Sequence, residues 1–242
     1  MSWDKDTQGI LNRLVAQWGV VTAALRDMRP GAQMEPEDGH RVFEPSETQD
    51  ANVVAFRINP TVFKLPERAN DVSLSLYVVV EGAIGLRRDS FVQTKALVTD
   101  YFKTRSAYFR YKGATPDHIY GAHYDFSLDA VGHPAFHSQM RSFPGLWAWV
   151  EKRYGVEGTV RNRIEGVLET VRLPSAQMDI FSFVLQLYAD HLLFKDSGPE
   201  VRRAFNELLT GNIFLQGAGF QAGRLQAAHS CYRALHWYPL VH

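Results

Sequence analysis

The residues best suited to chemistry lie in one short segment, 120–141, which holds three of the nine histidines of the chain. They are His123, His133 and His137, and one carboxylate, Asp125, lies among them. Three imidazoles and one oxygen ligand can bind Zn²⁺ or another divalent ion and leave a coordination position open for substrate. Without a metal, two histidines can serve as general acid and general base, because their ordinary pKa of about 6.5 is easily shifted.

The pattern of this segment predicts a β-hairpin. A connection rich in turn residues, 127–132, separates two runs in which polar side chains alternate with apolar ones, as in strands with one buried face. A turn centred near Asp129 pairs odd positions with odd positions, so the polar side chains would share one surface. The predicted polar face comprises His123, Asp125, His133, His137, Gln139 and Arg141, and the predicted core face comprises Tyr120, Tyr124, Phe126, Phe136 and Met140.

We therefore predict His123, Asp125 and His137 as a catalytic group, in which the histidines act as acid and base and Asp125 orients one of them. In an alternative role, His123, His133 and His137 ligate a divalent metal, which is the candidate cofactor. A third interpretation is a hydrated sheet face on which the histidines have no role, since the segment lacks the dense ligand spacing of zinc-protease motifs.

A second segment, 101–112, interleaves five aromatic residues with four basic ones. Aromatic rings can stack on nucleobases and cations can neutralise phosphates. Tyr108, Arg110 and Lys112 are accordingly predicted to bind substrate. The alternative is that the aromatic residues simply favour a strand and that the basic residues cover a sheet edge.

Composition limits the classes of function. The 242 residues carry 26 basic and 26 acidic side chains, so binding to nucleic acid requires a local patch and not a global positive field. A single cysteine, Cys231, excludes a disulfide framework within the chain and a multi-cysteine zinc site. The sequence lacks a signal-peptide pattern and an apolar run of the ~20 residues that span a bilayer, which predicts a cytoplasmic protein without a membrane partner.

The pattern of apolar residues predicts an α+β fold. Residues 7–28 carry apolar side chains at helical spacing, 41–141 hold short runs rich in β-branched and aromatic residues, and the later residues favour helices, including 176–195 and 198–209. We predict one domain over 1–242, with a helix in 1–30, a central, mainly antiparallel sheet in 40–142, and a mainly helical region, 145–242, packed on that sheet. Exposed aromatics and helical surfaces are compatible with a homo-oligomer, although no heptad pattern specifies one.

Two motifs of the hairpin, His-Tyr-Asp-Phe at 123–126 and His-Pro-Ala-Phe-His at 133–137, resemble segments of uncharacterised bacterial protein families. Some of those families are encoded beside toxin or phage-defence genes. The resemblance implies a bacterial cytoplasmic protein that acts on nucleic acid or with a partner protein, and it assigns no catalytic residue.

These features favour a small nuclease, because cleavage of a phosphodiester needs both acid and base groups and cationic charge stabilisation. The alternative function, from another class, is a non-catalytic subunit. Its aromatic and basic strand and its helical C-terminal region would bind a partner protein or nucleic acid.

Overall fold

The computed structural model describes residues 3–66, 75–95, 97–113, 115–126, 136–164, 172–174, 179–194 and 196–211. These residues form an α+β fold, as predicted, with an N-terminal helix, a central and mainly antiparallel sheet, and helices that follow the sheet. The apolar pattern also predicts a final helix roughly over 222–237, and this segment, with Cys231, lies outside the described residues.

The sheet contains nine strands within the described part of the chain. They are β1 (Gln33–Glu35), β2 (Phe43–Ser46), β3 (Val53–Pro66), β4 (Ser75–Arg87), β5 (Thr99–Lys112), β6 (Thr115–Phe126), β7 (Phe136–Met140), β8 (Arg161–Asn162) and β9 (Arg172–Pro174). Their order is β1-β3-β4-β5-β6-β7-β9, with β2 also paired with β3 and β8 with β6. The pairing of β6 with β8 is parallel and the others are antiparallel.

Six helices accompany the sheet in the described ranges: α1 (Lys5–Met28), α2 (Gly39–Val42), α3 (Arg88–Thr94), α4 (Trp147–Tyr154), α5 (Ile180–His191) and α6 (Pro199–Gly211). The long helix α1 begins where Asp4 accepts hydrogen bonds from the backbone amides of Asp6 and Thr7, which satisfies donors that have no partner within the helix. None of the helices described here has the length and apolarity needed to cross a bilayer.

The C-terminal region differs in two details from the prediction. Helix α5 begins after Asp179, whose carboxylate accepts from the amides of Phe181 and Ser182, and so starts later than the predicted 176. The short strands β8 and β9 extend the sheet into the region 145–242, which the pattern had assigned mainly to helices. Strands of two or three residues are too short to show a recognisable alternation in sequence.

One face of the sheet, here called the helical face, packs against α1, α5 and α6 to form the larger core. The apolar positions predicted for α1 are buried there because their helical spacing places them on a single stripe. The large side chains of this core include Ile10, Leu14, Trp18, Phe43, Phe56, Phe63, Phe102, Phe181 and Tyr188.

The opposite face is covered in part by α4. Trp147 and Val150 of this helix pack there on a smaller core that contains Tyr77, Val79 and Phe109. Beyond this core the face carries the exposed cations Lys103 and Arg105. Around these two cations the opposite face is therefore polar and accessible.

Gly82 allows β4 and β5 to approach each other beside this polar surface. A Cβ atom at Gly82 would lie 1.9 Å from the carbonyl oxygen of Lys103. We expect Gly82→Ala to lower the free energy of unfolding by roughly 1–3 kcal/mol, because the backbone must shift to relieve the clash. Urea denaturation would measure the change. Gly19→Ala is the control, since a Cβ there meets nothing within 4 Å and the helix should gain about 0.5–1 kcal/mol. An unchanged stability of Gly82→Ala would contradict the close approach.

Candidate functional site

The structure confirms that the two predicted strands, β6 and β7, pair antiparallel, but the pairing is centred on residue 131 and not near Asp129, and the connection lies outside the described residues. Asp125 lies opposite His137, and His123 lies opposite Gln139. Residues directly opposite each other share a face of the sheet, so His123, Asp125 and His137 lie together on the opposite face. We call these three residues the histidine group. His133, the third predicted metal ligand, lies outside the described residues.

The three side chains of the histidine group form a chain of short contacts. Nδ1 of His137 lies 2.7 Å from Oδ1 of Asp125, and Nε2 of His137 lies 3.2 Å from Nε2 of His123. Oδ2 of Asp125 is 3.7 Å from Nε2 of His123. The carboxylate therefore contacts His137 directly, and His137 connects it to the second imidazole.

These contacts favour one arrangement of the protons. The carboxylate can only accept, so a proton on Nδ1 of His137 is favoured by Oδ1 of Asp125 at 2.7 Å, a contact that is close but not aligned as a hydrogen bond. In neutral His137, Nε2 then carries a lone pair and accepts from Nε2–H of His123. The lone pair of His123 is consequently on Nδ1, which makes that atom the basic end of the histidine group.

Burial distinguishes the two histidines. His137 is 1% exposed and its neighbour on β7, Gln139, is 5% exposed. The β7 part of this face is therefore not the hydrated surface that was one interpretation of the sequence. The side chains of His123 and Asp125 are 21% and 22% exposed, and through them the histidine group reaches the molecular surface.

The environment of His123 lowers its pKa. Burial is the main cause, because it disfavours the charged imidazolium. The Asp125 carboxylate opposes this effect, whereas His137, Arg141 and Arg105 add to it. His123 therefore stays neutral, and available as a base, to a lower pH than an ordinary histidine does.

This lowered pKa predicts a pH dependence of stability. Between the folded-state pKa of His123 and its ordinary value of about 6.5, the unfolded chain binds a proton that the folded chain does not. The free energy of unfolding should therefore fall as the pH drops below about 6.5, and it should fall less in His123→Gln. Urea denaturation of both proteins on either side of that pH measures the difference. Identical slopes against pH would contradict the lowered pKa.

The same three residues also fit a divalent metal ion. Each offers a ligand atom, and these atoms lie within 4.8 Å of one another. Two imidazole nitrogens bound to a tetrahedral Zn²⁺ at 2.0–2.1 Å lie about 3.4 Å apart, close to the 3.2 Å between the Nε2 atoms here. Asp125 on Nδ1 of His137 corresponds to the outer carboxylate that commonly orients a metal-binding histidine.

Two cations of β5 lie beside the histidine group. Arg105 is directly opposite His123 and Lys103 is directly opposite Asp125. Cross-strand neighbours on one face have Cβ atoms about 4.5–5.5 Å apart. Both cationic side chains are exposed, so they can meet an anion that approaches the histidines from solvent.

A cavity of about 480 Å³ opens on the other side of these two cations. It lies where the register between β3 and β4 shifts at Asn59 and Pro60, which bulge out of the pairing. Its large polar and aromatic side chains are those of Arg57, Lys103, Arg105, Glu81 and Trp149. The cavity and the histidine group thus share the two cations of β5.

The three residues predicted to bind substrate lie elsewhere. Tyr108 packs on the helical face, with its ring centre 5.3 Å from that of Tyr120, and burial raises its pKa. Arg110 and Lys112 are exposed. Arg110 follows Arg105 on β5 by on the order of 17 Å, at about 3.4 Å per residue, and it lies on the helical face. The structure does not bring these residues to the histidine group.

The aromatic residues of β5 serve mainly in packing. Phe102 and Phe109 are fully buried in the two cores, which leaves them no surface for stacking on a base. For these two residues the alternative interpretation of 101–112 applies, because their aromatic rings pack in a strand and do not face a ligand.

No protein-family model matches the chain, and comparison with curated proteins and with solved structures gives no match either. Function is therefore inferred from the geometry and chemistry of the site itself.

Proposed function

We propose that the protein is a hydrolase that cleaves phosphodiester bonds in nucleic acid at the histidine group. The observation that carries this proposal is the register of β5 and β6, which sets Arg105 opposite His123 and Lys103 opposite Asp125 on one face. Phosphodiester cleavage needs a group that transfers protons, and it needs a positive charge near the phosphate. The histidines and the two cations that meet these needs lie on neighbouring strands here.

His123 is the proposed general base. In the proposed tautomer its Nδ1 carries the lone pair, its pKa is lowered by burial, and its side chain is the more exposed of the two histidines. When Nδ1 takes a proton from the attacking hydroxyl or water, the Nε2 proton of His123 can pass to Nε2 of His137 over 3.2 Å. The positive charge then resides on His137, where the Asp125 carboxylate at 2.7 Å stabilises it.

The phosphate is the proposed ligand of Lys103 and Arg105. Their positive charges would stabilise the negative charge that grows on the phosphoryl oxygens in the transition state. Nucleic acid is thus the proposed partner, in keeping with the resemblance of the two histidine motifs to bacterial families found beside toxin or phage-defence genes. A cytoplasmic location, a partner protein and a homo-oligomer stay predictions from the sequence.

A divalent ion is the second way in which the histidine group could act. With both Nε2 atoms on the metal, the proton of His123 would move to Nδ1, and the ion would supply an activated water molecule in place of the imidazole base. The same residues serve both chemistries, so removal of metal separates them.

Cleavage of labelled single-stranded RNA and DNA by the purified protein tests the proposal. Turnover that persists in EDTA supports imidazole catalysis, and turnover that EDTA removes and Zn²⁺ or Mn²⁺ restores supports the metal. If the folded wild-type protein cleaves neither polymer under either condition, the hydrolase proposal fails. The non-catalytic binding subunit is then the better account.

A further inference from the structure

We infer that the cavity at the β3 bulge binds one nucleotide of a single-stranded nucleic acid, with its phosphate on Lys103 and its base against Trp149. This inference deepens the proposed function and rests on it, because it places that nucleotide next to the bond that the histidine group would cleave. It names the substrate as a single strand.

The size and walls of the cavity suit such a ligand. Its volume of about 480 Å³ lies within the range of roughly 300–1,000 Å³ typical of small-molecule sites. The bulge at Asn59 and Pro60 and Gly82 of β4 also line it. A Cβ atom at Gly82 would collide with the backbone of β5, so this part of the lining carries no side chain.

The charges of the cavity favour an anion. Among the residues that the structure describes, three cationic side chains, Arg57, Lys103 and Arg105, line it together with one carboxylate, Glu81. Arg57 already contacts Glu44, and Arg105 lies 3.4 Å from Glu81. Lys103 is thus the cation best placed to hold a phosphate, and it lies directly opposite Asp125 of the histidine group.

Trp149 supplies a planar wall for a base. Its helix, α4, is fixed to the sheet by the buried side chains of Trp147 and Val150. Lys152 and Arg153 lie over the Trp149 ring, at 4.9 Å and 5.9 Å from its centre, and help to hold it in place. A partly exposed and fixed indole beside a cationic groove is the arrangement by which proteins bind single strands without reading their sequence.

The position of the cavity points to a polymer and not to a free nucleotide. Lys103 and Arg105 of β5 line the cavity and also lie opposite Asp125 and His123 of β6, and the two strands are about 4.8 Å apart. A chain with one nucleotide in the cavity therefore continues directly over His123. A base can reach Trp149 only after it leaves a double helix, which favours single strands.

Binding of a fluorescently labelled single-stranded tetranucleotide, measured by anisotropy, tests this inference. All proteins would carry His137→Gln, so that cleavage does not interfere. We expect Trp149→Leu and Lys103→Glu each to weaken binding by about tenfold or more, and Trp149→Phe to retain most of it. Trp3→Leu and Lys5→Glu are matched controls, because both residues are exposed and neither lines the cavity.

If the parent protein binds the tetranucleotide and the affinity changes by less than about twofold in both cavity variants, the inference is wrong. It is also wrong if the folded parent protein does not bind. A separate cleavage assay of the protein with His137 intact distinguishes the two proposals. If the protein cleaves and the cavity variants bind normally, the proposed function is supported and the inference is wrong. If binding depends on Trp149 and Lys103 but the protein does not cleave, the cavity site is supported and the proposed function is wrong. Thermal melting of each variant identifies any that fails to fold, and Lys103→Glu, at an exposed position, then carries the test.

Discussion

Replacing His137 with glutamine is expected to reduce the rate of phosphodiester cleavage by a factor of about 10² to 10⁴, the usual contribution of a positioned acid or base. His137 is the connection between Asp125 at 2.7 Å and His123 at 3.2 Å, so its loss removes the group that receives the proton of His123. Glutamine is polar and of similar length, so it can occupy the buried position while lacking a titratable ring.

The rate should be measured under single-turnover conditions, with thermal melting as the check on folding. His40→Gln is the matched control, because this histidine is exposed on α2 and far from the hairpin in sequence. If His137→Gln melts like the wild type and cleaves as fast, the histidine group is not the catalytic group.

Replacing Trp18 with alanine is expected to lower the free energy of unfolding by about 3–5 kcal/mol. Trp18 is fully buried at the centre of the larger core, where its ring contacts Phe43 of β2 and Phe181 of α5 at centroid distances of 5.8 Å and 6.3 Å. Its removal leaves a cavity at the place where the N-terminal helix, the sheet and a C-terminal helix meet.

Chemical denaturation measures this loss. Val20→Ala is the control on the same helix, since Val20 is exposed and its replacement should change stability by no more than about 0.5 kcal/mol. A loss below about 1 kcal/mol for Trp18→Ala would show that the packing of α1 on the sheet contributes little to stability.

The histidine group is an example of a site that a local pattern is sufficient to predict. Alternation of polar and apolar side chains on either side of a turn places His123, Asp125 and His137 on one face, and the pairing of β6 with β7 confirms it. The N-terminal helix is predictable for a similar reason, because its apolar residues repeat with the helical period and end at Met28.

The cationic part of the site could not be predicted, because one residue changes the register. In β6, His118 pairs with Phe109 and Tyr120 pairs with Tyr108, so Ile119 is left between them. This bulge exchanges the faces of all later residues of the strand. Without it, Arg105 would lie on the face opposite to His123. Sequence alternation alone therefore gives no reason to select Lys103 and Arg105 instead of Arg110 and Lys112.

The cavity depends on contacts between residues that are distant in sequence. Arg57 is on β3, Lys103 on β5 and Trp149 on α4, and only the bulge at Asn59 and Pro60 opens the space between them. An Asn-Pro pair is typical of a turn as well as of an irregular strand, so it does not by itself predict this bulge. Nothing local to Trp149 indicates that it faces a polar groove.

The most direct test of the central claim compares two arginines of the same strand. Arg105→Gln and Arg110→Gln each remove one exposed positive charge from β5, but Arg105 lies beside His123 and Arg110 lies on the helical face. The catalytic efficiency on a labelled single strand should fall by about tenfold or more in Arg105→Gln and stay near the wild-type value in Arg110→Gln. Equal efficiencies, or a loss confined to Arg110→Gln, would contradict the placement of the functional site on the face that carries the histidines.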